Sequence, residues 1–285
     1  MKPGWDRYTT SPVGNPGLKL RQLGATLALL LPAVAAAQQS MWNVPSGTGT
    51  TRGGFFFQEQ INASQTGESN LTASVGVGYG VELGVNLFHV HLYGDHVPES
   101  ARNMLMANAI FTIDLTEWLT MQFGGQAGFG RDHHFEREVP VGFGYVELRF
   151  HPESLKLAGV VGAWTGTDTY VGKGWPAGPM LGLEYEVVDE WLVLQADLLM
   201  GNNEAAVGVV GAVLLLPLGW QLALGLQVPS PFSKNGFGGV LEITHIPPGS
   251  GEHKEDVRWQ KSRVTPKWIR EHKAKHGIGD ENEKE

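Results

Sequence analysis

The sequence predicts an all-β fold, a transmembrane antiparallel up-and-down β-barrel of about twelve strands. Three observations support this. Between Phe55 and Ile246, segments of about ten residues alternate apolar side chains with polar side chains or glycine. Tight turns and longer polar loops separate these segments in alternation. A stretch with the features of an export signal precedes them all.

The first element is the export signal, predicted to span residues 1–37. Lys19 and Arg21 precede a short apolar core, and the small-residue site Ala35-Ala36-Ala37 follows it. The core is too short for a comfortable membrane span, which needs ~20 apolar residues. We expect cleavage after Ala37 and an outer-membrane location, with an uncleaved anchor as the alternative. Residues 38–52 are then predicted to be an N-terminal periplasmic segment.

The barrel is predicted over residues 53–246. Its clearest strand runs from Leu119 to Phe129, where leucine, methionine, phenylalanine and alanine alternate with threonine, glutamine and glycine. One face of such a strand suits lipid and the other a wet interior. The same pattern gives twelve predicted strands: 54–63, 70–79, 82–92, 103–114, 118–129, 141–150, 155–164, 179–187, 191–200, 205–215, 219–228 and 237–246.

The connections between these strands predict their orientation. Short turns follow every second strand, and Trp118, Trp191 and Trp220 come directly after three of them. Tryptophan beside the turns is typical of an aromatic girdle at one membrane interface. The alternate connections are longer and polar. Short turns are periplasmic and long loops external in outer-membrane barrels, so both ends of the barrel domain are predicted to lie in the periplasm.

Two segments fit the alternation poorly. In the third strand the apolar phase shifts after Leu87, so that Phe88 would also point outward, and a β-bulge near Leu87 would repair the pattern. Residues 205–228 contain only two strongly polar side chains, Gln221 and Gln227, and could be read as a membrane helix. Pro217 divides that run into two strand-length pieces rich in valine and glycine, which favours two strands.

The composition changes sharply after Ile246. Residues 247–251 form a proline- and glycine-rich linker, and residues 252–285 are almost entirely polar or charged. We predict that residues 247–285 are a polar, disordered periplasmic tail. Contact with peptidoglycan or with a periplasmic partner is the alternative interpretation.

Charge and cysteine content exclude several classes of function. Residues 38–251 carry eight basic and twenty acidic side chains, so nucleic acid is an unlikely partner. The chain has no cysteine, which removes disulfides, thiolate metal sites and cysteine nucleophiles. No cofactor or metal is predicted.

The polar faces of the predicted strands should line the barrel interior. We predict the following lining residues: Gln58, Gln60, Asn62, Asn86, Asp114, Gln122, Gln126, Glu147, Arg149, Lys156, Glu184, Glu186, Gln195, Asp197 and Glu242. With Glu82 at a turn, seven acids here face two bases. Such an interior disfavours anions and favours cations or neutral molecules. Alternatively, Arg149 and Lys156 pair with glutamates across the strands and brace a narrow barrel.

Histidines beside acids in the predicted external loops suggest an alternative, enzymatic function. Outer-membrane hydrolases use histidine with serine or aspartate, and a metal could also bind such a cluster. The candidate rim residues are Asp95, His96, Asp132, His133 and His134, and His89 and His91 lie close to them in the sequence. Histidine beside an acid in a loop is more often solvated surface than a catalytic site.

The start of the predicted mature chain resembles a family of bacterial outer-membrane barrels. The residues that carry the resemblance are Met41-Trp-Asn-Val-Pro-Ser46 and Gly53-Gly-Phe-Phe-Phe-Gln-Glu-Gln-Ile-Asn62. They are similar to the opening of the phenol meta-pathway outer-membrane family. The resemblance implies passage of small, often aromatic, molecules, and it assigns no functional residue.

Together these patterns predict a passive outer-membrane channel for small cationic or neutral solutes, and the resemblance adds aromatic molecules to them. Its expected partners are outer-membrane lipid, the barrel-assembly machinery and the solute. An outer-membrane hydrolase with a histidine–aspartate site at the external rim and a non-conducting structural barrel are the alternatives.

Overall fold

The structure is a computed structural model, which describes residues 41–95, 99–132, 136–152, 155–189 and 191–246. The predicted signal (residues 1–37), the predicted tail (residues 247–285) and His96, His133 and His134 lie outside these ranges. The strands are β1 (Phe55–Ala63), β2 (Gly67–Gly78), β3 (Val81–Tyr93), β4 (Arg102–Asp114), β5 (Leu119–Asp132), β6 (Arg137–Phe150), β7 (Leu157–Gly166), β8 (Ala177–Val188), β9 (Leu192–Leu199), β10 (Val207–Leu215), β11 (Trp220–Pro229) and β12 (Gly238–His245). A short helix, α1 (Asp168–Val171), follows β7, and a 3-10 turn, Pro217–Gly219, follows β10.

The twelve strands form one closed barrel in which each strand pairs antiparallel with its sequence neighbours. Closure occurs between β1 and β12, where Gln58 pairs with Thr244 and Gln60 with Glu242. Closing the sheet removes the unpaired strand edges that would otherwise expose backbone polar groups. The predicted fold class is confirmed.

Apolar side chains alternate outward along the strands, as the sequence pattern predicts. On β3 and β4, Leu83, Val85 and Leu105 are 47%, 53% and 63% exposed. Their sequence neighbours, Glu82 and Asn86 among them, are buried inside the barrel. An apolar outer surface of this kind suits lipid rather than water.

The two ends of the barrel differ in their connections. The "turn end" carries the short connections, and Trp118, Trp191 and Trp220 lie exposed on its outer surface. The "loop end" carries the longer connections, including α1. Several strands extend further toward the loop end than predicted. For example, β2 begins at Gly67 instead of residue 70, so the loop before it spans only residues 64–66.

The predicted bulge in β3 is present. Leu87 pairs with Leu71 and Val90 pairs with Ser69, so Phe88 and His89 together lie opposite a single residue of β2. His89 has a φ of +54°, and its backbone N–H donates to Asn70 Oδ1 at 2.8 Å. Phe88 keeps the inward position that alternation from Leu87 gives it, so the predicted outward position of Phe88 is wrong, and the phase shift begins only at Val90.

Residues 205–228 form strands and not a helix. β10 and β11 pair from Val207 with Pro229 to Leu215 with Gln221, and Pro217–Gly219 connects them. Within the described chain, no helix has both the length and the apolar character needed to cross a membrane.

Candidate functional site

The described part of the predicted periplasmic segment lies inside the barrel. Residues 41–52, here called the N-terminal segment, meet the wall at the turn end, where Gly53 N–H donates to Gly76 O at 2.8 Å. From there the chain runs into the interior, and residues 46–50 are all buried. The prediction of a periplasmic position is therefore wrong for these residues. They lie inside because the inward faces of several strands offer them polar and apolar contacts.

Two inward carboxylates bind the backbone of the N-terminal segment. Asp197 on β9 accepts hydrogen bonds from the backbone N–H groups of Asn43 and Val44, the latter at 3.0 Å. Glu82 on β3 accepts from the backbone N–H of Thr50 at 3.0 Å and from its hydroxyl at 2.6 Å. Hydrogen bonds to an ionised carboxylate are stronger than those between neutral groups. These acids therefore serve to hold the segment.

Apolar packing fixes the inner part of the same segment. Trp42 is 3% exposed and packs with Val209, Val213, Ala223 and Val240 of β10, β11 and β12. This contact explains why β10 is apolar on both faces, since its outer face belongs to the apolar outer surface and its inner face meets the indole ring.

Met41 and Val44 pack against the inner faces of β7 and β8. Both are fully buried, in a cluster with Val160, Trp164 and Met180 of β7 and β8. Gly182 allows this approach, because a Cβ atom at that position would lie 2.3 Å from Met41 Sδ. The N-terminal segment thus fills the space between facing walls of the barrel.

Fourteen of the fifteen predicted lining residues point inward as buried or half-buried side chains. They are Gln58, Gln60, Asn62, Asn86, Asp114, Gln122, Gln126, Glu147, Arg149, Glu184, Glu186, Gln195, Asp197 and Glu242. Lys156 is the exception. It precedes β7 in an exposed turn and pairs with Asp189, which raises the pKa of the lysine. Its predicted position was wrong because β7 begins at Leu157, two residues later than the predicted start at residue 155.

Arg149 forms a buried ion pair inside the barrel. Its guanidinium lies 3.2 Å from Glu184 Oε2, and both side chains are about a tenth exposed, at 11% and 10%. Gln195 donates to the other oxygen of Glu184 at 2.8 Å. The pair joins β6 to β8 across β7, as the bracing interpretation predicts for Arg149. It also holds one of the interior acids away from solutes.

A cavity of about 440 Å³ occupies the space beside the N-terminal segment. Trp42, Asn43 and Pro45 line it on the side of the segment. At the loop end it reaches Ser64 and Asn235. Its volume lies in the ~300–1,000 Å³ range of small-molecule sites.

Neutral amides form much of the cavity lining. We call their surface on β1 to β5 the amide wall: Gln58, Gln60, Asn62, Asn70, Asn86, Asn108 and Gln126. Aromatic side chains cover another part: Phe56, Phe88, Phe143, Tyr145 and Tyr170. The ring centroids of Phe143 and Tyr170 are 5.1 Å apart. The cavity can therefore offer hydrogen bonds on one side and flat apolar surface on the other.

The histidine-rich rim proposed from the sequence is described only in part. Asp95 lies exposed after β3, and Asp132 ends β5. His96, His133 and His134 are not among the described residues. Within the described ranges, no cluster of three or more histidine, aspartate or glutamate side chains has the geometry of a metal site.

His89 meets a serine and an acid that the sequence did not bring together. Ser100 Oγ lies 3.5 Å from His89 Nδ1, and Glu68 Oε2 lies 3.8 Å from the same nitrogen. A serine–histidine–acid relay needs the serine on one ring nitrogen and the acid on the other. Because both groups here approach Nδ1, this geometry does not match such a relay.

Sequence reasoning missed the N-terminal segment and α1 as parts of the interior. Tyr170 of α1 enters the barrel and accepts a hydrogen bond from Gln126 Nε2 at 2.7 Å. Burial raises the pKa of the Tyr170 hydroxyl well above its usual range, so it stays protonated. The available signal for the N-terminal segment was the apolar inward face of β10. A strand with two apolar faces needs an apolar neighbour inside the barrel.

Comparisons with known proteins identify similar solved structures and no family. No family model matches the chain, and no curated protein matches it. The KdgM porin in complex with disordered oligogalacturonate has a TM-score of 0.49 at 9% identity, over 67% of this chain and 98% of its own. An active-site mutant of outer membrane phospholipase A from Escherichia coli has a TM-score of 0.40 at 9% identity, over 70% and 92%. The outer membrane channel DcaP of Acinetobacter baumannii has a TM-score of 0.32 at 8% identity, over 76% and 68%.

Proposed function

We propose that this protein is an outer-membrane channel for small neutral or cationic solutes, closed here by its own N-terminal segment. The observation that carries the proposal is the division of the interior. A cavity extends to the loop end, whereas the buried residues 41–50 occupy the path from that cavity to the turn end. Passage of a solute then requires the segment to move.

The outer surface supports the membrane location. Large apolar side chains such as Phe123, Phe129 and Leu224 are 41%, 61% and 61% exposed. Exposed tryptophans collect at the turn end, where an aromatic girdle would meet the lipid headgroups. Outer-membrane lipid and the barrel-assembly machinery are accordingly the partners we propose for insertion. The turn end would face the periplasm.

The attachment of the segment is suited to opening. Among the described residues, its β-ladder contacts are isolated bridge positions at Pro45 and Arg52, of which Arg52 pairs with Gly76. The rest depends on side-chain packing and on the carboxylates of Asp197 and Glu82. A segment outside the β-ladder can detach without breaking the barrel, because local opening costs less than global unfolding.

The choice of solute follows from the lining. Among the cavity residues, Lys234 is the one lysine and no arginine is present. Glu68, Glu82 and Glu204 also contribute to the lining. Such a surface disfavours anions, and it leaves neutral and cationic solutes as the candidates.

The experiment that tests the proposal compares the native chain with Asp197→Ala in planar bilayers. Loss of the carboxylate removes acceptors from the N–H groups of Asn43 and Val44, at a cost of ~1–3 kcal/mol for each unpaired group. We expect the variant to conduct more often than the native chain and to prefer cations over anions. Asp114→Ala is the matched control, since Asp114 is a half-buried acid that contacts Thr120 and not the N-terminal segment.

A thiol placed on the segment reports its position directly. The chain has no cysteine, so Ser46→Cys introduces a single thiol at a position that is 0% exposed. We expect slow labelling by a water-soluble maleimide in the native background and labelling at least ~10-fold faster with Asp197→Ala, since 1.4 kcal/mol corresponds to tenfold. Fast labelling without current would support a non-conducting structural barrel. Anion preference would contradict the proposed selectivity.

A further inference from the structure

The amide wall contains a continuous hydrogen-bond chain that ends at Tyr170. Asn108 Nδ2 donates to Asn86 Oδ1 at 2.5 Å, and Asn86 Nδ2 donates to Gln126 Oε1. Gln126 Nε2 then donates to Tyr170 Oη at 2.7 Å. All four side chains line the cavity. Chains of this kind polarise each member in one direction.

The two ends of the chain have opposite hydrogen-bonding character. Asn108 Oδ1 is buried and has no partner among the described residues, so one end is an unsatisfied acceptor. Tyr170 accepts from Gln126, so its own hydroxyl hydrogen is directed elsewhere and the other end presents a donor. If the oxygen and nitrogen atoms of all three amides were exchanged, the direction of the chain would reverse. One end would still present a donor and the other an acceptor. A ligand hydroxyl can satisfy either end.

Two of the three acids of the cavity, Glu82 and Glu204, are already engaged by protein donors. Glu82 accepts from Thr50 and from Ser74 Oγ. Glu204 accepts from the backbone N–H groups of Glu99 at 2.6 Å and Ser100 at 2.8 Å. These contacts reduce what the acids offer a cationic ligand. Apart from Glu68 and Lys234, the polar groups that remain are mainly neutral donors and acceptors.

An apolar surface lies beside the amide chain. Phe143 stacks with Trp164 at a centroid distance of 6.0 Å and packs against Tyr170, and Phe88 also lines the cavity. A purely aromatic ligand would cover these rings but would leave the amides without partners, which is costly for buried polar groups. A ring that carries hydroxyl groups at its edge and C–H groups on its face satisfies both surfaces.

We propose that this cavity is a binding site for a neutral mono- or disaccharide. The proposal rests on the channel function and names the class of solute. Sugar hydroxyls would bridge Asn108 and Tyr170, and the apolar face of the sugar ring would lie against Phe143. The lining, with one lysine and no arginine, gives no paired basic groups for an acidic sugar.

Calorimetric titration of the full chain in detergent micelles tests the site, with glucose and maltose as probes. Glucuronate and glucosamine serve as the charged comparisons, and benzyl alcohol represents an aromatic alcohol. We expect saturable binding of glucose or maltose and at least tenfold weaker binding of glucuronate. Tyr170→Phe keeps the ring and removes the hydroxyl, so we expect about tenfold weaker sugar binding, as the loss of one well-formed hydrogen bond implies.

Two further variants complete the test. Asn108→Ala removes the acceptor at the other end of the chain, and we expect a similar loss of sugar binding. Tyr185→Phe is the matched control, because Tyr185 is 48% exposed on the outer surface and should leave binding unchanged. Heat-modifiable gel mobility would show that each variant forms a barrel.

The outcomes separate this inference from the channel proposal. Current without sugar binding, or tighter binding of benzyl alcohol, glucosamine or glucuronate than of either neutral sugar, would overturn the saccharide site and leave the channel intact. Sugar binding that is insensitive to both Tyr170→Phe and Asn108→Ala would overturn the assigned site. Sugar binding with no current in any variant would support the site and contradict the channel.

Discussion

The amide wall carries glutamine and asparagine on its inward face, whereas the inward face of β10 carries Val209 and Val213. We call the inward surface of β7 to β10 the packed wall. The amide wall borders the cavity, and the packed wall contacts Trp42 and Met41 of the N-terminal segment. Both walls belong to one sheet with the same outward apolar pattern. The polarity of an inward face therefore indicates what lies beside it. The polar amide wall borders the cavity, and the apolar packed wall contacts the N-terminal segment.

The largest effect is expected from Trp42→Ala, which removes the main contact with the packed wall. Truncation of a buried tryptophan costs ~3–5 kcal/mol. Because the N-terminal segment can detach alone, we expect the Ser46→Cys thiol to label about a hundredfold faster while the barrel stays folded. Trp191→Ala is the control, since Trp191 is 62% exposed on the outer surface. Equal labelling rates in the two variants would contradict the role of Trp42.

Arg149→Ala should destabilise the barrel itself. It leaves the buried Glu184 without its cationic partner, and loss of one member of a buried pair costs ~3–5 kcal/mol. We expect a lower urea midpoint by circular dichroism in lipid vesicles. Lys156→Ala, at the exposed pair with Asp189, should leave the midpoint unchanged. A similar loss in both variants would show that Arg149 is not the brace.

Val213→Thr places a hydroxyl group in the packed wall with almost no change of shape. Val213 is fully buried against Trp42, so the hydroxyl would lose its water, at a cost of ~1–3 kcal/mol. We expect faster labelling of the Ser46→Cys thiol. Val210→Thr, on the outer face of the same strand, is the control and should leave labelling unchanged. Protection retained in Val213→Thr would mean that water already reaches this wall.

Asn86→Ala should have the smallest effect on stability, although it interrupts the amide wall. Asn86 bonds with Asn108 and Gln126, and all three line the cavity. Water in the cavity can replace the lost partner, so we expect a change in unfolding free energy below ~1 kcal/mol. The midpoint of urea unfolding measures this change in unfolding free energy. A decrease in unfolding free energy of ~1–3 kcal/mol, the cost of an unpaired buried polar group, would show that the cavity excludes water.

Much of the barrel could be predicted from single strands. Most segments from Phe55 to His245, though not β10, show their two faces through alternation, and the predicted bulge near Leu87 follows from the same pattern. Strand ends at the loop end were less well predicted. Polar residues such as Glu68 extend a ladder as readily as they form a loop, and only pairing with the neighbouring strand decides between the two.

The interior could not be predicted in the same way. An inward glutamate has the same sequence signature whether it meets water, a cation, an arginine or a backbone amide. The structure assigns Glu184 to Arg149 and Asp197 to the amides of Asn43 and Val44. Asp197 is 154 positions from Asn43 and 153 from Val44 in the sequence, so no local pattern records these contacts.

The sequence by itself determined the twelve strands, their outward face and the residues that point inward. It did so because alternation is a property of each strand and needs no knowledge of its neighbours. Only the tertiary structure decided that residues 41–52 lie inside the barrel, that Tyr170 joins the amide wall and that a cavity remains between them. Closing the sheet brings distant inward faces within reach of one another, and the contents of the barrel depend on that closure.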